Sequence, residues 1–124
     1  KGYPVDHKKI IDACAANHVV IEINAHPRRL DMSWKWLEYA LNKNLLVSID
    51  PDAHAIDEFS NTRYGVLVAQ KGMVTVQKNL SSFNLKEFEM TILPLYLFGK
   101  WLTFWTHKIL PIYTLGLKLI IFSL

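Results

Sequence analysis

The residues best suited to chemistry lie in Val47-Ser48-Ile49-Asp50-Pro51-Asp52-Ala53-His54, where a short apolar run gives way to two carboxylates and an imidazole. Residues i and i+2 of an extended backbone project to the same side, so Asp52 and His54 can turn an anionic oxygen and a ring nitrogen toward one divalent ion. A carboxylate with an imidazole suits Zn, Mn or Fe better than Ca or Mg. Two ligands do not complete a metal site, and a solvated turn carries the same residue types. From this stretch alone the solvated turn is the favoured reading. A second polar loop, Ala25-His26-Pro27-Arg28-Arg29-Leu30-Asp31, is pinned by proline and dense in side chains able to bind anions or metals.

These loops need elements to position them. Asp6 to Asn17 predicts a helix, with Ile10, Ile11 and Cys14 at helical spacing and a stop at Asn17 and His18. Val19 to Asn24 reads as a strand covered on both faces, interrupted by Glu22, which needs a partner. Ser33 is a candidate N-cap for a helix to about Asn44, with Trp34, Leu37, Ala40 and Leu41 as its buried stripe. Leu45 to Ile49 is the second strand. Tyr64 to Lys71 predicts a helix closed by Gly72, Met73 to Gln77 a third strand, and Asn84 with Glu87 a capping box opening a last helix through Met90. Alternating helices and strands imply an α/β fold with parallel strands and right-handed crossovers. Ligands gather at strand carboxyl ends in such folds, and both polar loops occupy those positions.

Composition bounds the rest. The chain of 124 residues can bury one core. Its formal charge of +3 is uneven: residues 1 to 90 hold 11 Lys/Arg against 11 Asp/Glu, and residues 91 to 124 hold three Lys and no acid. The basic balance therefore belongs to the tail and is not read as a nucleic-acid footprint. A single cysteine, Cys14, cannot form an internal disulfide and fits a reducing cytoplasm. The chain opens on Lys1, and its natural start is expected upstream. In residues 91–124, Lys100, His107, Lys108 and Lys118 break every apolar run short of a spanning helix, and Pro94, Gly99, Pro111 and Gly116 spoil a long amphipathic one. An interfacial anchor, a packed extension of the core and non-native out-of-frame sequence compete as readings of this tail. The loss of carboxylates after Glu89 favours the last.

Several stretches resemble the PHP (polymerase and histidinol phosphatase) family, and within it the PHP domain of bacterial family X DNA polymerases. They are Gly2-Tyr3-Pro4-Val5-Asp6; Glu22-Ile23-Asn24-Ala25-His26-Pro27 running into Arg29-Leu30-Asp31; Pro51-Asp52-Ala53-His54; Tyr64-Gly65-Val66 with Ala69, Lys71 and Gly72; and Asn79-Leu80-Ser81. The resemblance implies that residues 1–90 are the C-terminal portion of a distorted, incomplete (βα)7 barrel, with 91–124 as an apolar tail. It implies a metal-dependent phosphoesterase with up to three Mn or Zn ions in the intact domain, acting as a 3′-5′ exonuclease on DNA 3′ ends, with a polymerase domain in the same parent chain. Asp52 and His54 fall on the family's Asp-x-His metal ligands. Arg29 matches a family arginine that could hold a phosphate, or else pair with Asp31 or Glu22. Asn24 could face the site or close the strand end. His26 reads as a loop residue, and His7, His18 and His107 as solvated or satisfied imidazoles. Ala55 and Asp50 depart from the family, which often carries Ser at the first position and Asn, Ser or Thr at the second. The family's His-x-His and further ligands would precede Lys1, so this chain alone is expected to be inactive. A histidinol-phosphatase-like activity on small molecules and a noncatalytic binding remnant are the alternatives. The expected location is the cytoplasm, without a membrane partner.

Overall fold

The computed structural model describes residues 4–94; the tail readings beyond Pro94 lie outside the described residues. Contacts divide the chain into two units, one up to Ser82 and one from Phe83. In the first, α1 (His7–Ala16) precedes β1 (Ile21–Asn24), α2 (Trp34–Asn42), β2 (Val47–Asp50) and α3 (Thr62–Lys71). Short 3-10 turns occupy Ile56–Asn61, Val76–Lys78 and Leu80–Ser82. In the second unit, residues 85–94 are helical. There the predicted capping box is made in both directions: the Asn84 N–H donates to Glu87 Oε2 at 2.9 Å, and the Glu87 N–H donates to Asn84 Oδ1 at 3.0 Å. Among the described residues no helix is long and apolar enough to cross a membrane.

The architecture is α/β, with a parallel sheet of two strands among the described residues. Register pairs Ile21 with Val47, Glu22 with Ser48, Ile23 with Ile49 and Asn24 with Asp50. Strand alternation therefore segregates chemistry by face. Ile21, Ile23, Val47 and Ile49 join Ile11, Cys14, Leu37 and Ala40 in the core, and burying each of the larger side chains contributes about 1.5–3 kcal/mol. Glu22, Ser48, Asn24 and Asp50 share the other face. Both faces are covered, as expected, but the second is polar: Asn24 and Ser48 are buried there and Glu22 is half-buried.

All three helices of the first unit end the same way. The residue after each C-cap, His18, Asn44 or Met73, adopts a left-handed φ of 54°, 62° or 60°. The next residue donates back: Val19 N–H to the Cys14 carbonyl (2.9 Å), Leu45 to Ala40 (3.1 Å) and Val74 to Ala69 (2.9 Å). Each closing pair is apolar and lies in or against the core, so the turn that stops a helix also returns the chain to the core. Gly72 itself has an ordinary φ of −88°. It is needed for space, since a Cβ there would lie 2.4 Å from Leu37 Cδ1 and 2.7 Å from Leu37 Cβ.

Two local expectations are corrected, and the N-cap at Ser33 holds without its side-chain bond. Met73–Gln77 is not a strand. The chain forms a 3-10 turn at Val76–Lys78 and touches β2 through a single parallel bridge, Val47 to Asn79. Beyond that bridge the Ser81 hydroxyl takes over: it accepts the Ile49 N–H at 2.8 Å and lies 3.1 Å from both the Ile49 carbonyl and Ser48 Oγ. In the stripe of α2, Trp34 is exposed, with Lys71 Nζ 4.5 Å from its ring centroid, while Trp36 packs against the core and stacks on His7. Between α1 and α2, Tyr39 Oη donates to Asp12 Oδ1 at 2.8 Å and Lys43 Nζ lies 3.1 Å from the same atom. These partners hold the Asp12 carboxyl below its ordinary pKa, the Tyr39 hydrogen bond most of all.

Candidate functional site

Parallel pairing of β1 and β2 sets Asn24 beside Asp50 and brings both polar loops to one end of the sheet. The first loop is folded by its own side chains. Asn24 is buried, at 1% exposure, with both ends of its amide engaged. Its Nδ2 donates to Glu22 Oε1 at 3.1 Å, and its Oδ1 accepts the His26 N–H at 3.0 Å. The Asn24 N–H donates to the Asp31 carbonyl, closing the loop onto the strand end. Asn24 thus closes the strand end and also supplies the partner Glu22 requires. His26 Nδ1 accepts the Arg28 N–H at 3.2 Å, which is a turn-forming contact.

Arg29 leans from this loop toward the second one. Its Nε donates to Asp31 Oδ2 at 3.2 Å, and its Nη1 lies 3.7 Å from Asp52 Oδ2. The ion pair with Asp31 was one of the partners legible in the sequence; the reach to Asp52 adds a direct link between the loops.

In the second loop Asp52 has a left-handed φ of 53°, a conformation that aspartate tolerates better than bulkier residues. The turn brings His54 Nδ1 to 2.9 Å from the Asp52 carbonyl oxygen. A carbonyl only accepts, so Nδ1 donates in that contact, and of the two neutral tautomers this one leaves Nε2 as the lone-pair nitrogen. Downstream, Glu58 Oε2 accepts the His54 N–H at 2.6 Å and the Ala55 N–H at 3.2 Å. These donors, His54 first, hold the Glu58 carboxyl below its ordinary pKa.

Charge is unevenly compensated on the polar face. Burial above all, then the neighbouring Asp50 carboxylate, pushes the Glu22 pKa above its ordinary value, and the Asn24 amide offsets only part of this. Asp50 Oδ2 is buried and accepts no hydrogen bond among the described residues. An orphaned buried acceptor of this kind costs about 1–3 kcal/mol. Among the described residues no three His, Cys, Asp or Glu side chains are grouped closely enough to hold a metal ion on their own. Sequence reasoning had singled out Asn24, Arg29, Asp52 and His54, and the fold gathers them at one sheet end. It missed Glu58, whose only sequence signal is a Glu three residues after Ala55.

No protein-family model matches the chain. Over 88 residues, 71% of its length, the chain is 31% identical to the DNA polymerase/3'-5' exonuclease PolX of Bacillus subtilis (strain 168), and it spans 15% of that relative's length. The chain therefore contains a region related to a short part of that polymerase/exonuclease.

Proposed function

We propose that this chain is part of a metal-dependent phosphoesterase of the PHP type, corresponding to the 3′-5′ exonuclease domain of a family X DNA polymerase. The observation that carries the reading is a carboxylate and an imidazole, Asp52 and His54, held at the end of a parallel strand in a chain related to PolX. Asp52 and His54 would hold a Mn or Zn ion, with the remaining ligands of a cluster of up to three ions supplied by residues beyond this chain. The donor set suits such ions. The His54 Nδ1 contact leaves Nε2 for coordination, as second-shell carbonyls commonly do for metal-bound histidines. The orphaned Asp50 Oδ2 is an acceptor that a nearby cation would satisfy.

When bound, such ions lower the pKa of a coordinated water and neutralise phosphate oxygens. Arg29, braced by Asp31 and 3.7 Å from Asp52, would orient the phosphate through its guanidinium. Asn24 sets the loop that carries Arg29 and serves the substrate through that loop. DNA 3′ ends would be gripped by backbone and terminus rather than read by sequence.

The test is metal content of the purified chain after dialysis, together with hydrolysis of bis-p-nitrophenyl phosphate in Mn. Retained metal that is lost in His54→Ala supports a phosphoesterase site, with hydrolysis itself expected only when the missing ligands are restored in a longer protein. A second reading is a remnant that binds a partner without catalysis. Metal content indistinguishable from that of His54→Ala in a longer protein that restores the missing ligands would dismiss the phosphoesterase reading.

A further inference from the structure

We propose that Glu58 is a positioning residue for His54, holding the Asp-x-His loop in the conformation that presents the imidazole to a divalent cation; this rests on the metal-site reading above. The loop reaches His54 through a left-handed Asp52 and leaves it through an extended Ala55, at φ −141° and ψ 161°. Such a path has little regular hydrogen bonding of its own. One carboxylate oxygen gathers the two N–H groups that follow the turn, His54 at 2.6 Å and Ala55 at 3.2 Å. Charge-assisted bonds of this length are roughly twice as strong as neutral ones.

The consequence is geometric. With its N–H tied to Glu58 and its Nδ1 against the Asp52 carbonyl, His54 is fixed at main chain and ring together, although its side chain is exposed. Glu58 is itself set by the 3-10 turn Ile56–Asn61, in whose first turn it lies. Neither Glu58 oxygen needs to touch the metal for the residue to matter. It acts by limiting the directions His54 can take.

The experiment uses the full chain, uniformly labelled with ¹⁵N and selectively labelled at histidine rings, and Mn(II) chloride as the probe. The amide proton of His54 reports the Glu58 contact, and paramagnetic broadening of the His54 ring resonances reports metal approach. In Glu58→Ala the downfield His54 amide shift should disappear, and about tenfold more Mn should be required for the same broadening, in line with the loss typical of outer-shell partners. Glu58→Gln, which keeps one accepting oxygen, should recover part of both. Loss of the amide shift with unchanged Mn response would overturn the role. So would a Gln variant as impaired as the Ala variant, which would assign the effect to the charge of Glu58 instead. A wild-type His54 ring that Mn leaves unbroadened would overturn the metal reading and the role with it, and the amide shift would still show whether the Glu58 contact forms.

Discussion

Gly65→Ala sets two opposite expectations against each other. Gly65 lies within α3, where replacing glycine by alanine favours an exposed helix by about 0.8–1 kcal/mol. This glycine is buried where the helix meets the strand ends. A Cβ built there lies 2.5 Å from Ile49 Cγ2 and 2.8 Å from Ala25 Cβ, against the 3.4 Å at which ordinary contact begins. The helix lacks about 0.9 Å of clearance on one side and 0.6 Å on the other. The Ala25 Cβ cannot move without its backbone, and Ile49 Cγ2 leaves only by rotating χ1 of a β-branched side chain packed in the core. Overpacking of this kind costs about 1–3 kcal/mol. With two rigid contacts the upper figure applies, and the net loss is about 2 kcal/mol after the helix gain is subtracted. Urea unfolding followed by far-ultraviolet circular dichroism would show the midpoint falling by about 1–2 M at constant m. Ala25 follows Asn24 and Ile49 precedes Asp50, so the same variant should displace both polar loops. A midpoint that rises by the helix-propensity increment would refute the packing argument and mean that α3 stands further from the sheet.

Other perturbations test the loop and the polar face. Ala55→Ser should change stability by less than about 0.5 kcal/mol, because the Glu58 N–H that a serine hydroxyl would accept is already donated to the Ala55 carbonyl at 3.1 Å. A melting temperature within about 2–4 °C of wild type is the measure, and a larger rise would show that the backbone bond leaves this N–H unsatisfied. Glu22→Gln tests the raised pKa. Folded Glu22 keeps its proton above the ordinary value of 4.5, so the folded state binds more protons in that window and its contribution to stability is lost as pH rises through the folded pKa. The Gln variant should therefore match wild type near pH 4 and be the more stable of the two near pH 7; a constant offset across that range would show that Glu22 is not buried against Asp50.

Local signals in this sequence were strong wherever one residue type sufficed. Asn84 with Glu87 announced a capping box, and Asn17-His18 announced the end of α1, because both depend on neighbours within a few positions. The strand misread at Met73–Gln77 shows the opposite case. Val74 is drawn into the turn that closes α3 and Val76 into a 3-10 turn, so β-branched residues there serve the helix end rather than a sheet. Trp34 and Trp36 are two apart and compete for the buried face of α2; only the position of α1, through His7, decides for Trp36. At the site, the gathering of the two loops followed from parallel crossovers, and the residues of interest stood out by type. Glu58 was hidden because its cap residue is Ala55, which has no side-chain oxygen and so lacks half of the capping signature. The left-handed turn at Asp52 was hidden because no glycine marks it.

The Ser81 hydroxyl on the flank of β2 has a consequence for association between molecules. By occupying the main-chain donor and acceptor of Ile49, it works as a plug one residue long, and a foreign strand arriving at β2 would have to displace it along with the Asn79 bridge. Among the described residues the other flank of β1 carries the Asp31 carbonyl, which already takes the Asn24 N–H, and a second chain pairing there would bring the half-buried Glu22 toward its counterpart. Like charges facing each other there discourage fibril growth most at neutral pH, and acidification, by protonating Glu22, removes that guard.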